Sequence, residues 1–248
     1  MLGPGEGEAL FGGRIILKAT FDELCITESS FDSARPGAEP HLHRQHSDSF
    51  YVLAGGLAVL VHDEEKELDP GAFACAPPEV VHGFRSTSRT RFLNFHTPDG
   101  GFAENLRAID RGEEGGFDSF GAEPGSGSPP HDAVFLPPGK GERLETKTRV
   151  ATVKAGRDEL SLIEFELAPG FEGPDLHAHD DHIDSFYVLD GEPEFVMDGE
   201  KRRMGPGSFI AAPLGIAHTF GNPGSKPARL LNVHAPSKGF HDFLRQQS

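Results

Sequence analysis

The fold follows from the stretch His41-Leu-His43-Arg-Gln-His46-Ser-Asp48-Ser-Phe-Tyr-Val-Leu-Ala-Gly55, which returns 136 residues later as His177-Ala-His179-Asp-Asp-His182-Ile-Asp184-Ser-Phe-Tyr-Val-Leu-Asp-Gly191. At the same offset, Gly71-Ala-Phe-Ala-Cys-Ala-Pro77 corresponds to Gly207-Ser-Phe-Ile-Ala-Ala-Pro213, and His82 corresponds to His218. A repeat that recurs at one offset across both halves of the chain indicates a duplicated domain.

The segment between the two copies has the composition of a linker. It reads Gly121-Ala-Glu-Pro-Gly-Ser-Gly-Ser-Pro-Pro130, which is rich in residues that interrupt regular structure. We therefore predict an N-terminal domain over residues 1–120, a linker over 121–133 and a C-terminal domain over 134–248. Each domain is then about 120 residues long, which is enough for a core of its own.

Each half has the pattern of short strands. The chain contains 31 Gly and 20 Pro among 248 residues, and they bound β-prone runs such as Leu57-Ala-Val-Leu-Val61. The pairs Asp190-Gly191 and Asp198-Gly199 predict type I′ hairpin turns. Apolar spacing predicts one short helix after each set of strands, around 102–109 and 240–244. The predicted fold class is all-β with a few short helices.

Composition excludes several classes of partner. Lys and Arg total 23 against 39 Asp and Glu, a formal net charge of −16, so the surface repels nucleic-acid phosphates and anionic lipids. No apolar run reaches the ~18 residues of a membrane span, and the first residues lack the pattern of a secretion signal. Two cysteines cannot form a disulfide framework for this length. We expect a cytoplasmic protein that binds neither nucleic acid nor membrane.

The repeated histidines have the spacing of metal ligands. His41 and His43 alternate on one strand, so their Cα atoms lie about 6.6 Å apart on one face, and two imidazoles at that spacing can bind one ion. Because strict alternation would send Asp48 to the other face, residues 44–47 must turn the chain and return it on a neighbouring strand. A further strand then supplies His82. The predicted metal ligands are His41, His43, Asp48 and His82 in the first copy, and His177, His179, Asp184 and His218 in the second.

These stretches resemble the two signature motifs of the cupin superfamily. Motif two is Gly-x5-Pro-x-Gly-x2-His-x3-Asn, and the second copy meets it in full with Gly207, Pro213, Gly215, His218 and Asn222. In the first copy, Glu79 replaces the turn Gly and Ser86 replaces the Asn. Motif one, Gly-x5-His-x-His-x(3,4)-Glu-x6-Gly, is met in its histidines and last Gly, but both copies carry Asp in place of Glu. The resemblance implies a bicupin, with two tandem jelly-roll barrels.

The expected cofactor is a divalent transition metal, with up to one ion per cupin domain. His and carboxylate ligands suit Fe, Mn, Ni, Co, Zn or Cu, and the order of affinities does not choose among them. Because Asp is one methylene shorter than Glu, direct ligation and contact through water both stay open for Asp48 and Asp184. His46 and His182 share one turn position, and each is a substitute ligand, a solvated loop residue or a residue that orients a neighbour.

Aromatic residues near the motifs are candidates for a substrate pocket. Phe84 and Phe220 lie two residues after the histidine of motif two, so each points inward with that histidine. Phe50 and Phe186 follow the motif-one Asp at the same spacing. All four are either pocket wall or ordinary barrel core.

The resemblance implies an activity as well as a fold. Dioxygenases of the quercetinase type recur among bicupins, so we expect a metal-dependent oxidoreductase whose small substrate chelates the ion through adjacent oxygens. Two alternatives stay open, namely a metal-dependent isomerase or decarboxylase and a non-catalytic module that binds a small metabolite. The sequence assigns no catalytic residue beyond the ligands, although Glu79 near His82 is a candidate. The resemblance is also compatible with a homodimer.

Overall fold

A computed structural model describes all 248 residues, which form two compact units. The first unit is Gly7–Lys140, and the second combines Gly141–Ser248 with Met1–Glu6. This division differs from the predicted one because two segments pair outside their predicted domains. Residues 134–136 pair with residues 73–75 of the first unit, and Leu2 pairs with Phe209 of the second.

The first unit contains two antiparallel sheets and one helix. Its strands are β1 (Glu8–Leu10), β2 (Ile15–Phe21), β3 (Leu24–Phe31), β4 (Arg35–Pro36), β5 (His41–Leu42), β6 (Ser47–Ala54), β7 (Leu57–Val61), β8 (Glu64–Leu68), β9 (Phe73–Ala76), β10 (His82–Ser86), β11 (Thr90–Thr97), β12 (Phe120–Gly121) and β13 (Val134–Leu136). A 3-10 turn (Phe11–Gly13) follows β1, and helix α1 (Phe102–Asp110) follows β11. The sheet orders are β1-β2-β3-β11-β6-β9-β13 and β12-β5-β10-β7-β8, with β4 beside β10.

The second unit repeats this arrangement. Its strands are β14 (Glu142–Glu145), β15 (Arg149–Gly156), β16 (Ser161–Leu167), β17 (Ile183–Asp190), β18 (Glu194–Met197), β19 (Glu200–Arg203), β20 (Phe209–Ala212), β21 (His218–Gly221) and β22 (Ala228–Ala235). Helix α2 (Phe240–Arg245) follows β22. The sheet orders are β14-β15-β16-β22-β17-β20 and β19-β18-β21.

Each unit has a core drawn from both of its sheets. In the first unit, Phe50 on β6 and Phe92 on β11 share one apolar cluster with Val59 on β7 of the opposite sheet. In the second, Phe186 on β17 shares a cluster with Phe220 on β21. Because side chains alternate along a strand, the cluster-forming positions mark the inner faces of two facing sheets. The predicted all-β fold is confirmed.

The predicted helices are confirmed, and one of the two predicted turns is wrong. Both helices exist, but Ile109 and Phe243 on their predicted apolar faces are exposed. Neither helix is long and apolar enough to cross a membrane. Asp198 and Gly199 have φ of 48° and 77°, as a type I′ turn between β18 and β19 requires. Asp190-Gly191 forms no hairpin, because β17 and β18 belong to different sheets.

Candidate metal centres

The first centre brings together the four residues predicted from the first copy. His41 lies on β5 directly opposite His82 on β10, and Asp48 lies on β6 after the turn that contains His43. The potential ligand atoms of these four residues all lie within 4.8 Å of one another. The predicted turn before Asp48 therefore returns its carboxylate to the imidazoles.

The second centre repeats this geometry with the four residues of the second copy. His177 and His218 exchange backbone hydrogen bonds of 3.1 and 2.7 Å, which hold the two segments side by side. With His179 and Asp184, their potential ligand atoms also lie within 4.8 Å of one another. Each unit thus contains one group of three imidazoles and one carboxylate.

Hydrogen bonds to the backbone orient the imidazole rings. In the first centre, Nδ1 of His41 is 2.8 Å from the Glu39 carbonyl, and Nδ1 of His82 is 2.9 Å from the Val80 carbonyl. In the second, Nδ1 of His177 and of His218 lie 2.7 and 2.9 Å from the carbonyls two residues earlier. A carbonyl can only accept, so Nδ1 carries the proton and Nε2 keeps a free lone pair. This is the tautomer that metal-ligating histidines use.

Three of the predicted ligands have a buried ring nitrogen without a hydrogen-bond partner in the protein. These nitrogens are Nε2 of His43 and of His82 in the first centre and Nε2 of His179 in the second. A buried polar atom left without a partner destabilises the folded chain unless a bound group compensates. A divalent metal fits both centres for this reason, because it would satisfy these nitrogens together with their neighbours.

Asparagines on the neighbouring strand hold the two carboxylates. Asn94 donates to Oδ1 of Asp48, and Asn232 donates to Oδ1 of Asp184 at 2.5 Å. Oδ2 of Asp184 lies 3.1 Å from Nε2 of His218. Burial alone would raise the pKa of Asp184, but the neighbouring His234 and His218 and the hydrogen bond from Asn232 hold that pKa below its ordinary value. The carboxylate therefore stays ionised, as a metal ligand must.

A further buried histidine lies beside each centre, and the sequence did not predict its role. His234 is stacked on Phe240 with ring centroids 3.7 Å apart, and its Nε2 lies 3.3 Å from Oδ1 of Asp184. His96 is stacked on Phe102 at the same distance. Burial lowers the pKa of His96 to about 3 and that of His234 to about 4, so both are neutral at pH 7. Alternation with Phe92 along β11 is the signal that could have placed His96 inside.

The two turn histidines are buried, not solvated. His46 has its Nε2 3.0 Å from Nδ1 of His96 and is stacked on His43 with ring centroids 3.9 Å apart. Together His43, His46 and His96 also have potential ligand atoms within 4.8 Å of one another. His182 binds the carboxylate of Asp181 through Nδ1 at 2.8 Å.

The segment after α1 covers the first centre. The backbone carbonyl of Asp118 lies 2.5 Å from Nδ1 of His43. Its carboxylate accepts hydrogen bonds from the backbone amides of Arg44 and Gln45, at 2.9 and 2.6 Å, and lies 3.2 Å from Nδ1 of His46. The ring of Phe117 lies 5.4 Å from that of His43. His43 is consequently fully buried.

The second centre opens into a cavity of about 710 Å³, which we call the second-site cavity. The ligand candidates His177, His179 and Asp184 contribute to its wall. Five phenylalanines make up much of the remaining wall, namely Phe165, Phe171, Phe220, Phe240 and Phe243. A cavity of this size with apolar walls and a few polar groups suits a small organic ligand.

The four predicted pocket phenylalanines occupy different places. Phe220 lines the second-site cavity. Phe186 and Phe50 are buried in the cores of their units. Phe84 lines a separate groove of about 460 Å³ whose wall contains none of the predicted metal ligands. The structure thus places one of these four residues beside a metal centre and its cavity.

The two departures of the first copy from motif two keep its geometry. Glu79 adopts φ of +66°, close to the +74° of Gly215, so a non-glycine residue occupies the left-handed turn position. Ser86 donates to the carbonyl of Ser33, while the Asn222 amide donates to the carbonyls of Leu167 at the end of β16 and of Ala168 and Lys226 in the neighbouring loops. Both residues therefore tie a loop to the end of a strand.

A comparison with known families assigns both halves of the chain. The cupin domain matches residues 30–96 and again residues 163–234, which together make up more than half of the sequence. The chain belongs to the cupin family. Because the domain occurs twice, the protein is a bicupin with one His and Asp metal-binding group in each domain.

Known relatives of this bicupin include enzymes. Quercetin 2,3-dioxygenase of Bacillus subtilis (strain 168) is 23% identical over 290 residues, which include 99% of this chain and 84% of the relative. Mannose-1-phosphate guanylyltransferase of Escherichia coli (strain K12) is 28% identical over 107 residues, 43% of this chain and 20% of the relative.

Solved structures share the bicupin fold. Oxalate decarboxylase of Bacillus subtilis, studied for its Mn(II) centres, superposes with a TM-score of 0.60 at 17% identity, covering 87% of this chain and 70% of that chain. AerE from Microcystis aeruginosa superposes with a TM-score of 0.61 at 15% identity, covering 89% of this chain and 90% of that chain.

Proposed function

We propose that this bicupin is a metal-dependent oxidoreductase of the dioxygenase type, acting on a small substrate that presents two adjacent oxygens to the ion. The observation that carries the proposal is the second-site cavity, which joins a group of metal ligands to an aromatic wall. The relative that aligns with 99% of the chain is named as a quercetin 2,3-dioxygenase, which supports the same class of reaction.

The metal ligands we assign are the two predicted sets, His41, His43, Asp48 and His82, and His177, His179, Asp184 and His218. When bound, a redox-active divalent metal supplies Lewis acidity and electron transfer to the reaction. The chain fixes the His177 and His218 rings through their Nδ1 hydrogen bonds and holds the Asp184 carboxylate through Asn232.

The second domain is the one in which we place turnover. Its cavity admits a ligand to the centre, and the phenylalanine walls exclude water from the oxygens that the substrate presents. In the first domain, Phe117 and Asp118 cover the corresponding histidines, so we assign that centre a structural role.

A metal-dependent decarboxylase or isomerase is the second candidate. The superposition on oxalate decarboxylase favours it, since that protein has the same pair of barrels. Such a reaction needs an acid or base separate from the metal ligands. Glu79, the predicted candidate, is exposed on the turn before β10 of the first domain and is not among the residues that line the second-site cavity.

Oxygen consumption separates the candidates. We expect the full-length protein, loaded in turn with Fe, Mn, Ni or Co, to consume O₂ with a catechol or a flavonol. His177→Ala should abolish the uptake and lower the metal content by one ion per chain. The matched variant His41→Ala should lose its own ion and keep the uptake. Turnover without O₂ would instead identify an isomerase or decarboxylase, and ligand-induced stabilisation without turnover would identify a binding module.

The proposal includes the cellular location, the oligomeric state and the partners of the protein. A location in the cytoplasm is supported by two buried cysteines that form no disulfide, and a homodimer is supported by the resemblance to other bicupins. The charge of −16 supports small molecules over nucleic acids as partners. Sedimentation of the purified chain would test the dimer.

A further inference from the structure

One cationic side chain faces the interior of the second domain. Arg149 is the first residue of β15 and shares a face with Ala151 and Val153, which belong to the core of that domain. Its guanidinium carbon lies 5.5 Å from the centroid of the Phe165 ring. Both Arg149 and Phe165 line the second-site cavity. The arginine therefore belongs to the same chamber as the His177 group.

Arg149 has no anionic partner in the protein. It takes part in none of the ion pairs, and its Nε is buried without a hydrogen bond. Burial lowers the pKa of Arg149, and no carboxylate counters that effect. A half-buried charge without a partner is unfavourable, so a bound anion at this position would stabilise the folded chain.

The other charged groups of the cavity are already paired or solvated. Lys238 lies 3.9 Å from the carboxylate of Asp181, and its side chain is about half exposed. Asp175 is exposed at the mouth of the cavity, where water screens its charge. Asp184 is bound by His218 and Asn232. Arg149 is thus the cation of this cavity that is left without an anion.

We propose that Arg149 is a carboxylate-binding residue and that the substrate of the second-site cavity is an aromatic or enolic acid. The guanidinium presents two parallel N–H donors that match a carboxylate. The phenylalanine walls accept the planar body, and the adjacent oxygens face the His177 group. The inference rests on the proposed function, because it names the substrate class of the same site.

This subsite is specific to the second domain. The repeat offset of 136 residues aligns Arg149 with Gly13, as it aligns Lys154 with Lys18. Gly13 has no side chain that could bind an anion. The first domain therefore lacks a carboxylate subsite at this position.

The test compares two probes that differ by one carboxylate, 3,4-dihydroxybenzoate and catechol. Isothermal titration of the metal-loaded full chain should show about 10- to 100-fold tighter binding of the acid, the range expected for a charge-assisted hydrogen-bonded pair. In Arg149→Met the two affinities should become equal, with metal content unchanged. Arg149→Lys should keep part of the preference for the acid over catechol, because it keeps the positive charge. This second variant keeps the test valid if Arg149→Met fails to fold.

Lys238→Met is the matched control, since it removes a cation from the same cavity that already has a partner. It should change the preference less than about threefold. Equal affinities in the unmodified protein, an unchanged preference in Arg149→Met, or an equal loss in Lys238→Met would each overturn the subsite. Absence of O₂ uptake, with the preference lost in Arg149→Met alone, would refute the oxidoreductase and leave the subsite standing.

Discussion

A single local hydrogen bond sets the tautomer of four of the six imidazoles in the two centres. The rings of His177 and His218 each place Nδ1 against a carbonyl two residues earlier, so the chain itself selects the tautomer that leaves Nε2 free. The equivalent bonds recur at His41 and His82. This local arrangement follows from the short segments that carry the histidines, and it needs no contact from distant residues.

Asn232 tests how strongly a positioning residue contributes to the second centre. Its amide donates to Oδ1 of Asp184 at 2.5 Å, so Asn232→Leu should free the carboxylate to rotate. We expect metal affinity at the second centre to fall about 10- to 100-fold, as is usual when a ligand loses its hydrogen-bonded support. Competition with a chromophoric chelator measures the metal affinity of each centre.

Asn94→Leu is the matched variant for the first centre, because Asn94 donates to Asp48 in the same way. Asn232→Leu should weaken metal binding at the second centre only, and Asn94→Leu should weaken it at the first centre only. If either variant lost metal affinity at both centres, the substitution would be disturbing the fold as a whole. No loss in either would show that the asparagines do not support the carboxylates.

The sequence predicted which residues form the metal centres better than it predicted the contacts around each of them. The eight proposed ligands follow from His-x-His spacing and one turn, both of which are local. Asn94 and His96 recur in the second copy. Side chains alternate between the two faces of a strand, but the sequence does not show which face is buried, so the orientation of these two residues could not be predicted without the sheet. The surroundings of Arg149 in the second-site cavity include Phe240 and Phe243 of α2, which lie far along the chain and could not be placed beside it from the sequence.

At the scale of secondary-structure elements, the segment between α1 and β12 makes the two centres unequal. Its residues Phe117 and Asp118 lie against the turn that carries His43 and His46, and the following strand β12 pairs with β5. Three polar contacts of one carboxylate fix this cover in place. Access to the first centre is therefore controlled by a stretch outside the repeated motifs, which explains why the motifs alone predicted two equivalent sites.

Asp118→Ala should open the first centre. The change removes the acceptor of the Arg44 and Gln45 amides, so the cover loses its attachment to the turn. In the unmodified protein, a strong chelator should remove metal in a fast phase from the second centre and a slow phase from the first. The slow phase should become about tenfold faster in Asp118→Ala, within the range for lost support of a ligand.

Asp181→Ala serves as the control for that experiment. Its carboxylate binds His182 at the equivalent turn of the second domain, but it is exposed and holds no covering segment. The slow phase should be unchanged in this variant. A single release phase in the unmodified protein would contradict the unequal access of the two centres.

At the scale of the whole molecule, each compact unit is completed by residues that precede the repeated strands. Val134–Leu136 pairs with β9 of the first unit, and Pro138 lies beside Gly71. In the second unit, Leu2 pairs with Phe209 of β20, and Pro4 lies beside Gly207. The same lead-in peptide thus has the same role twice. The sequence showed the likeness of these two peptides, but not the strands they join, because pairing between distant segments leaves no local pattern.

Deleting residues 1–6 should therefore weaken the second unit. Leu2 and Phe209 exchange backbone hydrogen bonds of 2.7 and 2.9 Å, and Met1 packs against the apolar core of that unit. Losing two such bonds and one partly buried side chain should lower its free energy of unfolding by about 2–4 kcal/mol. Hydrogen exchange should show lost protection at the Phe209 amide, while the amide of Ala74, which pairs with Phe135 in the first unit, keeps its protection. Equal losses at both amides, or none at Phe209, would mean that the lead-in peptide does not belong to the second unit.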